Sequence, residues 1–235
     1  MPAPKKNAIS NRLLAALPQK NYQDLQLHLE PVELVFGDIL YEAGDQIRHV
    51  YFPQDCLVSL LTTVEANRAA EVGLVGSEGM IGVPVALGID VSPFLAVVQG
   101  AGTALRMKTA DFRREFKKSA ALQGALFGFT HMLMIQVAQT AACNRFHVVT
   151  QRLARWLLMT RDRVPADKFV LTQEFLARML GVRRVGVTEA ASALQKLNLI
   201  KYSRGNITII DLPGLEATAC GCYEKVNDLY AKVKA

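Results

Sequence analysis

The sequence predicts an α+β fold in which an amino-terminal β-roll, a long helix and a carboxy-terminal winged helix-turn-helix follow one another. Three observations support this prediction: short apolar runs with glycine turns between residues 32 and 107, an uncharged stretch over residues 119–144, and a helix–turn–helix pattern over residues 171–200. With 235 residues, of which 51% are hydrophobic, the chain is long enough to bury such cores. The predicted domains are 1–115, 116–147 and 148–235.

The predicted β-roll follows two short amphipathic helices, over residues 9–17 and about 22–29, which Pro18 separates. From Val32 to Met107, short apolar runs alternate with turns. Nine of the chain's 16 glycines lie between Gly37 and Gly102. Many short strands joined by glycine turns are typical of a β-sandwich or β-roll.

The uncharged stretch SAALQGALFGFTHMLMIQVAQTAACN predicts a long helix that is apolar on nearly all sides. One interpretation is a membrane span, since Gly124 and Gly128 have small-residue spacing. Glutamine, histidine and asparagine side chains interrupt the stretch, however, and no apolar run reaches the roughly 18 residues that a span needs. We therefore expect no membrane association, and we predict a helix that packs on its own β-roll and on the same helix of a second copy. The residues predicted at this dimer interface are Leu126, Phe129, Leu133, Gln136 and Val137.

The next pattern, LTQEFLARMLGVRRVGVTEAASALQKLNLI, predicts two helices joined by a tight turn. Thr172 is suited to cap the first helix, and Gly181 permits the turn. In the second helix, predicted from about residue 183 to 196, apolar residues share one face and leave the other to Arg183, Arg184 and Thr188. The residues predicted on the buried face are Val187, Ala190, Ala191, Leu194 and Leu197.

The segment KYSRGNITIIDL follows directly and predicts a β-hairpin turning at Arg204 and Gly205. Residues 145–205 contain 12 Lys and Arg against 4 Asp and Glu, whereas the rest of the chain is close to neutral. A basic helix-turn-helix followed by a wing favours double-stranded DNA as the partner, because the arginine fork matches guanine in the major groove. The simpler alternative is an ordinary helical hairpin with surface arginines.

Other classes of function have little support in the sequence. Four scattered histidines, with no HExxH, GxSxG or glycine-rich phosphate loop, indicate that the chain is not an enzyme. Cys143 and His147 share a helical face, but two ligands make only half a metal site, and we expect a buried thiol and a capping histidine. Cys220 and Cys222 are interpreted as packing residues, although a redox role stays open. No metal or cofactor is expected, and the absence of an apolar signal sequence predicts a bacterial cytoplasmic protein associated with the nucleoid.

In QRLARWLLMTRDRV, LTQEFLARMLGV and LQKLNLIKYSRGNITIID, the chain resembles the Crp/Fnr family of bacterial transcription regulators in order and spacing. The resemblance implies a homodimer on an operator, with RNA polymerase as a further partner if it activates. Arg184 corresponds to the family's base-reading arginine, while Val185 replaces the acidic residue that often follows it. The residues that the resemblance assigns to DNA are Thr172, Gln173, Arg183, Arg184, Thr188, Lys201 and Arg204.

The resemblance also implies a β-roll like those that bind cyclic nucleotides, which carry a Gly-Glu pair and then an arginine about ten positions later. Here Val83 follows Gly82, and Ser92 stands near the arginine position, while Glu78 precedes the glycine. A buried phosphate without a cation is strongly unfavourable, so we expect no cyclic AMP binding. The cluster of amino-terminal cysteines that an iron–sulfur centre needs is also missing. The predicted function is a regulator controlled by an unidentified signal, or alternatively a constitutive one without a ligand.

Overall fold

The computed structural model describes residues 10–64, 68–164 and 166–233. Two short helices, α1 (Arg12–Ala15) and α2 (Gln19–Gln26), precede the first strand; α1 is shorter than predicted, and α2 begins and ends earlier than predicted. The predicted start at residue 9 lies outside the described residues. Asn11 caps α1, and its side-chain amide donates to the carbonyl oxygens of Pro53 and Gly79, which ties α1 to the β-roll.

The predicted β-roll is present as two antiparallel sheets, ordered β1-β7-β3 and β2-β6-β4-β5. A 3₁₀ helix (Val83–Leu87) links β5 to β6, and α3 (Thr109–Lys118) follows β7. The apolar faces of the two sheets meet in one core, to which α1 and part of the long helix that follows α3 also contribute. The strands are β1 (Glu30–Leu34), β2 (Ile39–Tyr41), β3 (His49–Pro53), β4 (Leu57–Val64), β5 (Arg68–Val75), β6 (Leu95–Gly100) and β7 (Gly102–Lys108).

The long helix, α4 (Ala120–Phe146), begins after Ser119, whose hydroxyl accepts a hydrogen bond from the Leu122 N–H. One face of α4 packs inside the protomer, because Leu126, Phe129, Leu133 and Gln136 are buried there. Phe129 lies so close to Gly79 that an added Cβ would be 2.1 Å from its ring. The Gln136 side-chain amide accepts a hydrogen bond from the Leu74 N–H and donates one to the Leu74 carbonyl oxygen.

This packing corrects the predicted dimer interface, since four of its five residues face the chain's own β-roll and only Val137 is partly exposed. The opposite face of α4 is open, and its exposed large side chains include Phe127 and Met134. By length and composition α4 would also be able to cross a membrane. A core helix passes the same test, and the β-roll covers one side of α4.

The carboxy-terminal domain has a second core in which helices pack around a three-stranded sheet ordered β8-β10-β9. The two predicted helices and the hairpin are present. β8 was not predicted, and the chain after residue 211 forms two helices. The elements are α5 (Val149–Arg163), β8 (Lys168–Val170), α6 (Gln173–Leu180), α7 (Arg184–Lys196), β9 (Ile200–Ser203), β10 (Asn206–Ile209), α8 (Leu212–Thr218) and α9 (Cys222–Val233).

The two domains are docked through α5 and α6. The Arg163 guanidinium pairs with Glu78 at 2.7 Å, with both side chains nearly fully buried. Burial raises the pKa of Glu78, but the charge of Arg163 together with hydrogen bonds from Arg163 and from the backbone lowers it further than burial raises it, so the net shift is downward. The ring centroids of Phe36 and Phe175 lie 5.2 Å apart, and α6 also contacts β5.

A buried hydrogen-bond chain also crosses this interface. The Trp156 indole N–H donates to Glu71 at 3.0 Å, and the Ser59 hydroxyl lies 2.7 Å from the other Glu71 oxygen and 2.6 Å from the Gln99 carbonyl oxygen. The pKa of Glu71 is raised to about 7, because burial outweighs the opposing effect of its hydrogen bonds with Ser59 and Trp156. When Glu71 is protonated, its carboxyl group donates a hydrogen bond to the Ser59 hydroxyl, and that hydroxyl donates one to the Gln99 carbonyl oxygen.

Candidate DNA-binding surface

The first helix of the helix-turn-helix, α6, begins and ends as its sequence predicts. The Thr172 hydroxyl accepts from the Phe175 N–H at 3.1 Å, which satisfies one free N–H of the first turn. Gly181 ends the helix in a left-handed conformation with φ of 61°, which glycine adopts without steric cost. The turn between α6 and α7 is therefore tight and well defined.

The second helix, α7, begins at Arg184, and Arg183 is its N-cap residue. Val187, Ala190, Ala191 and Leu194 are buried as predicted. Leu197 was also predicted on the buried face, but it lies at the C-cap with 60% of its surface exposed. The α-helical repeat ends there, so the apolar stripe no longer determines where this side chain points.

The outer face of α7 is open at its amino-terminal end. Arg183, Arg184 and Thr188 are all exposed, as predicted. The Arg184 Nε donates to Gln173 Oε1 at 3.1 Å, and the Thr188 hydroxyl donates to the Arg184 carbonyl oxygen. Gln173 on α6 thus orients the arginine to which the family resemblance assigns base reading.

The wing is the hairpin of β9 and β10. Arg204 and Gly205 form its two-residue turn with φ of 49° and 82°, the combination that matches the twist of a tight hairpin. The Gly205 carbonyl accepts from the Leu171 N–H at 2.6 Å, which places the turn beside the start of α6. Arg204 and Lys201 are both exposed. The predicted DNA-contacting residues of α6, α7 and the wing turn therefore lie on adjoining parts of one domain.

The predicted ligand pocket is nearly filled. Gly82, Val83 and Ser92 line a cavity of about 30 Å³, which Leu133 of α4 helps to close. The Ser92 hydroxyl is bonded to the Phe94 carbonyl. Glu78 was predicted in this pocket, but it does not line the cavity and its carboxylate pairs with Arg163 instead. The glutamate was assigned from its sequence distance to Gly82, which does not determine the direction of its side chain.

Four side chains that the sequence did not link are brought together at the end of α4: Cys143, His147, Cys220 and Cys222. The sulfurs of Cys143 and Cys220 lie 3.4 Å apart. A hydrogen bond from Cys220 lowers the pKa of the Cys143 thiol to about 5, and the charge of Arg155 acts in the same direction. The same hydrogen bond raises the pKa of Cys220. The sequence contains a Cys-x-x-x-His pair and a Cys-x-Cys pair. The two pairs lie far apart along the chain, so the sequence did not show that they form one cluster.

The comparison with known proteins agrees with this geometry. Residues 151–218 match the Crp-like helix-turn-helix domain. Similar solved structures include a CRP-family transcriptional regulator from Thermus thermophilus, with a TM-score of 0.68, 18% identity and coverage of 80% of this chain and 96% of that one. The c-di-GMP responsive regulator CLP from Xanthomonas campestris has a TM-score of 0.68 and 15% identity, with coverage of 83% and 100%. No match is found among curated proteins.

At these identities the solved structures establish the fold, and the domain match establishes the helix-turn-helix. Together they confirm the predicted α+β architecture with its amino-terminal antiparallel sheets, long helix and DNA-binding domain. The chain therefore has the fold of the Crp/Fnr transcription regulators and carries their Crp-like helix-turn-helix domain, as its sequence predicts.

Proposed function

We propose that this regulator acts as a homodimer that binds a specific DNA sequence through α6, α7 and the wing. The observation that supports this most directly is the open amino-terminal end of α7, where Arg183 and Arg184 are exposed beside the N-terminus of the helix. An arginine fork there matches O6 and N7 of guanine, and free N–H groups at a helix start favour phosphate.

The neighbouring side chains suit contacts with the DNA backbone. Thr172 and Gln173 lie at the start of α6, next to the wing turn that carries Arg204. Lys201 projects from β9 and is exposed. We assign these residues to phosphate contacts that set the position of α7, while Arg184 reads a base. Thr188, one turn after Arg184, lies on the same exposed face and completes the predicted contact set.

The second copy is proposed to pack on the open face of α4. The exposed positions on this face of α4 recur at alternating intervals of four and three residues, which is the spacing of a coiled-coil seam. Two of them are large and apolar, with Phe127 52% and Met134 65% exposed. Burying such side chains against a twin helix removes apolar surface from water. The seam consists of Gly124, Phe127, His131, Met134, Ala138 and Ala141.

The filled pocket specifically favours a second candidate, a constitutive regulator without a cyclic nucleotide ligand. A cavity of about 30 Å³ holds about one or two water molecules, whereas small-molecule sites usually offer about 300 Å³ or more. Calorimetry with cyclic AMP and cyclic GMP is expected to show no binding at micromolar concentration. Binding of either nucleotide at that level would refute the pocket argument.

Selection from a random DNA pool tests the proposed function. We expect enrichment of a pseudo-palindrome whose half-sites lie about one helical turn apart, bound by two chains per duplex. The Arg183→Ala/Arg184→Ala variant is expected to lose this enrichment. The control variant Lys20→Ala/Lys117→Ala removes the same charge from exposed positions outside the surface and is expected to keep it. Enrichment that survives loss of both arginines would rule out α7 as the reader.

A further inference from the structure

Four potential metal ligands meet where α4 ends and the last two helices join. Cys143 lies in the last turn of α4, and His147 is its C-cap residue. Cys220 lies between α8 and α9, and Cys222 is the first residue of α9. One atom from each residue, three sulfurs and one imidazole nitrogen, lies within 4.8 Å of all the others.

Two of the distances between these atoms are close to the edges of a tetrahedral site. The sulfurs of Cys143 and Cys220 are 3.4 Å apart, and Cys222 Sγ lies 3.6 Å from His147 Nδ1. A tetrahedron with Zn–S bonds of about 2.3 Å and a Zn–N bond of about 2.0–2.1 Å has edges of about 3.8 Å between sulfurs and about 3.6 Å from sulfur to nitrogen. Small side-chain shifts are enough to bring all four atoms onto one ion.

The surroundings supply the charge and hydrogen bonds that such a site needs. Three thiolates around a divalent ion leave one negative charge, and Arg152 and Arg155 lie close enough for their charges to interact with the Cys143 thiol. Both arginines are more than nine-tenths buried, and the Nε of each has no hydrogen-bond partner among the described residues. The Gln139 amide donates to Cys222 Sγ at 3.0 Å. Buried cations next to thiols are expensive unless negative charge compensates them.

We propose that Cys143, His147, Cys220 and Cys222 bind one Zn²⁺ ion as a closed structural site. Four protein ligands leave no position for water or substrate, which distinguishes structural from catalytic zinc. Thiolate and imidazole ligands in a tetrahedron also select zinc over magnesium, calcium or manganese. The four atoms lie too close together for a multi-iron cluster, in which separate irons take separate cysteines.

The position of the site gives the ion a mechanical role. Cys143 and His147 lie at the end of α4, next to its junction with α5, and Cys220 lies 77 residues beyond Cys143 in the chain. A shared ion would fasten the end of α4 to the end of the helix-turn-helix domain. It would thereby limit how far that domain can rotate about the α4–α5 junction.

Metal content and cobalt spectroscopy of the reduced full-length protein test this proposal. We expect one zinc per chain after purification without added metal, and its release when the thiols are blocked. Co²⁺ added to the metal-free protein is expected to produce the strong visible and near-ultraviolet absorption of tetrahedral thiolate coordination, and Zn²⁺ to abolish it. Absence of both the bound zinc and the cobalt spectrum in protein with reduced thiols would overturn the proposal.

Matched cysteine variants locate the site. Cys143→Ser and Cys222→Ser are each expected to lower zinc retention at least tenfold and to lose the cobalt spectrum. The control is Cys56→Ser, which alters a buried cysteine in the β-roll outside the cluster and is expected to keep both. Because a site variant can misfold, the cobalt titration of the wild type stands as an independent measurement. A Cys143–Cys220 disulfide in the protein as purified, found by mass spectrometry without reductant, together with no zinc binding after reduction, would instead indicate a redox pair and refute the metal site.

Discussion

Arg184 carries the most specific consequence at the scale of single residues. Arg184 begins α7, and its exposed guanidinium donates a hydrogen bond to Gln173 of α6. We predict that Arg184→Ala weakens binding to the preferred site by about 1–3 kcal/mol and relaxes selection at one position of each half-site. Titrations and binding selections with the variant measure both effects. An unchanged sequence preference would mean that Arg183 or the wing reads the bases.

The wing supplies the matched control for Arg184. Arg204 has a φ of 49°, so Asn, which tolerates this conformation, is the appropriate neutral replacement. Arg204→Asn is expected to weaken all DNA sequences alike and to reduce the salt dependence by about one unit per subunit. A change of base preference in this variant would contradict its assignment to phosphate.

Glu71 makes the domain interface sensitive to pH. The pKa of Glu71 in the folded protein is about 7, above its ordinary value of 4.5. Its protonation therefore stabilises the folded protein, and this contribution is fully present below pH 4.5 and is lost as the pH rises through about 7. That difference corresponds to about 3 kcal/mol. Glu71→Gln keeps the hydrogen bonds and is predicted to flatten the dependence of unfolding temperature on pH between 5 and 8. The exposed Glu42→Gln is the control, and a flat profile in the wild type would contradict the prediction.

At the scale of elements, α4 shows where sequence reasoning reaches its limit. Its length, apolar character and lack of charge predicted a helix, and that helix is present. The sequence did not reveal which face is internal, because Phe127 and Phe129, or Leu133 and Met134, are equally apolar. Burial against Gly79 and Leu74 determines the face, and these contacts are formed only in the folded chain.

The open face of α4 provides the prediction for this scale. Met134→Glu is expected to convert the proposed dimer to monomers at micromolar concentration, because it places two carboxylates in the apolar seam. Light scattering measures the mass, and circular dichroism confirms that the fold is kept. Leu27→Glu, at an exposed leucine outside α4, is the control and is expected to stay dimeric. A dimeric Met134→Glu protein would place the interface elsewhere.

The elements that the sequence missed are those with the weakest local signals. β8 is three residues long, Lys168–Val170, and exists because it pairs with β10. The break between α8 and α9 falls near Gly221, where no proline marks a helix end. By contrast, Thr172, Gly181 and the Arg204-Gly205 turn were predicted correctly, since capping and positive φ are properties of single residues.

At the scale of the whole molecule, the docking of the two domains depends on pairs far apart in sequence. Glu71 and Trp156 are 85 positions apart, and so are Glu78 and Arg163. Neither pair has a pattern that marks it before folding. The same limit concealed the Cys and His cluster, whose two halves looked incomplete when each was considered alone. Local chemistry therefore predicted the helices, turn and exposed residues of the candidate DNA-binding surface, whereas long-range contacts had to be seen in the structure.

The hydrogen bond between Trp156 and Glu71 also gives the protein an internal optical reporter. The chain has one tryptophan, and its indole is buried at the junction of the domains, so its fluorescence comes from that junction alone. Deprotonation of Glu71 places a negative charge against the excited ring. The emission is therefore expected to change with a midpoint near pH 7 in the wild type and to stay constant in Glu71→Gln. Separation of α5 from the β-roll on DNA would expose the indole to water and shift its emission to longer wavelength, so domain movement can be followed without an attached dye.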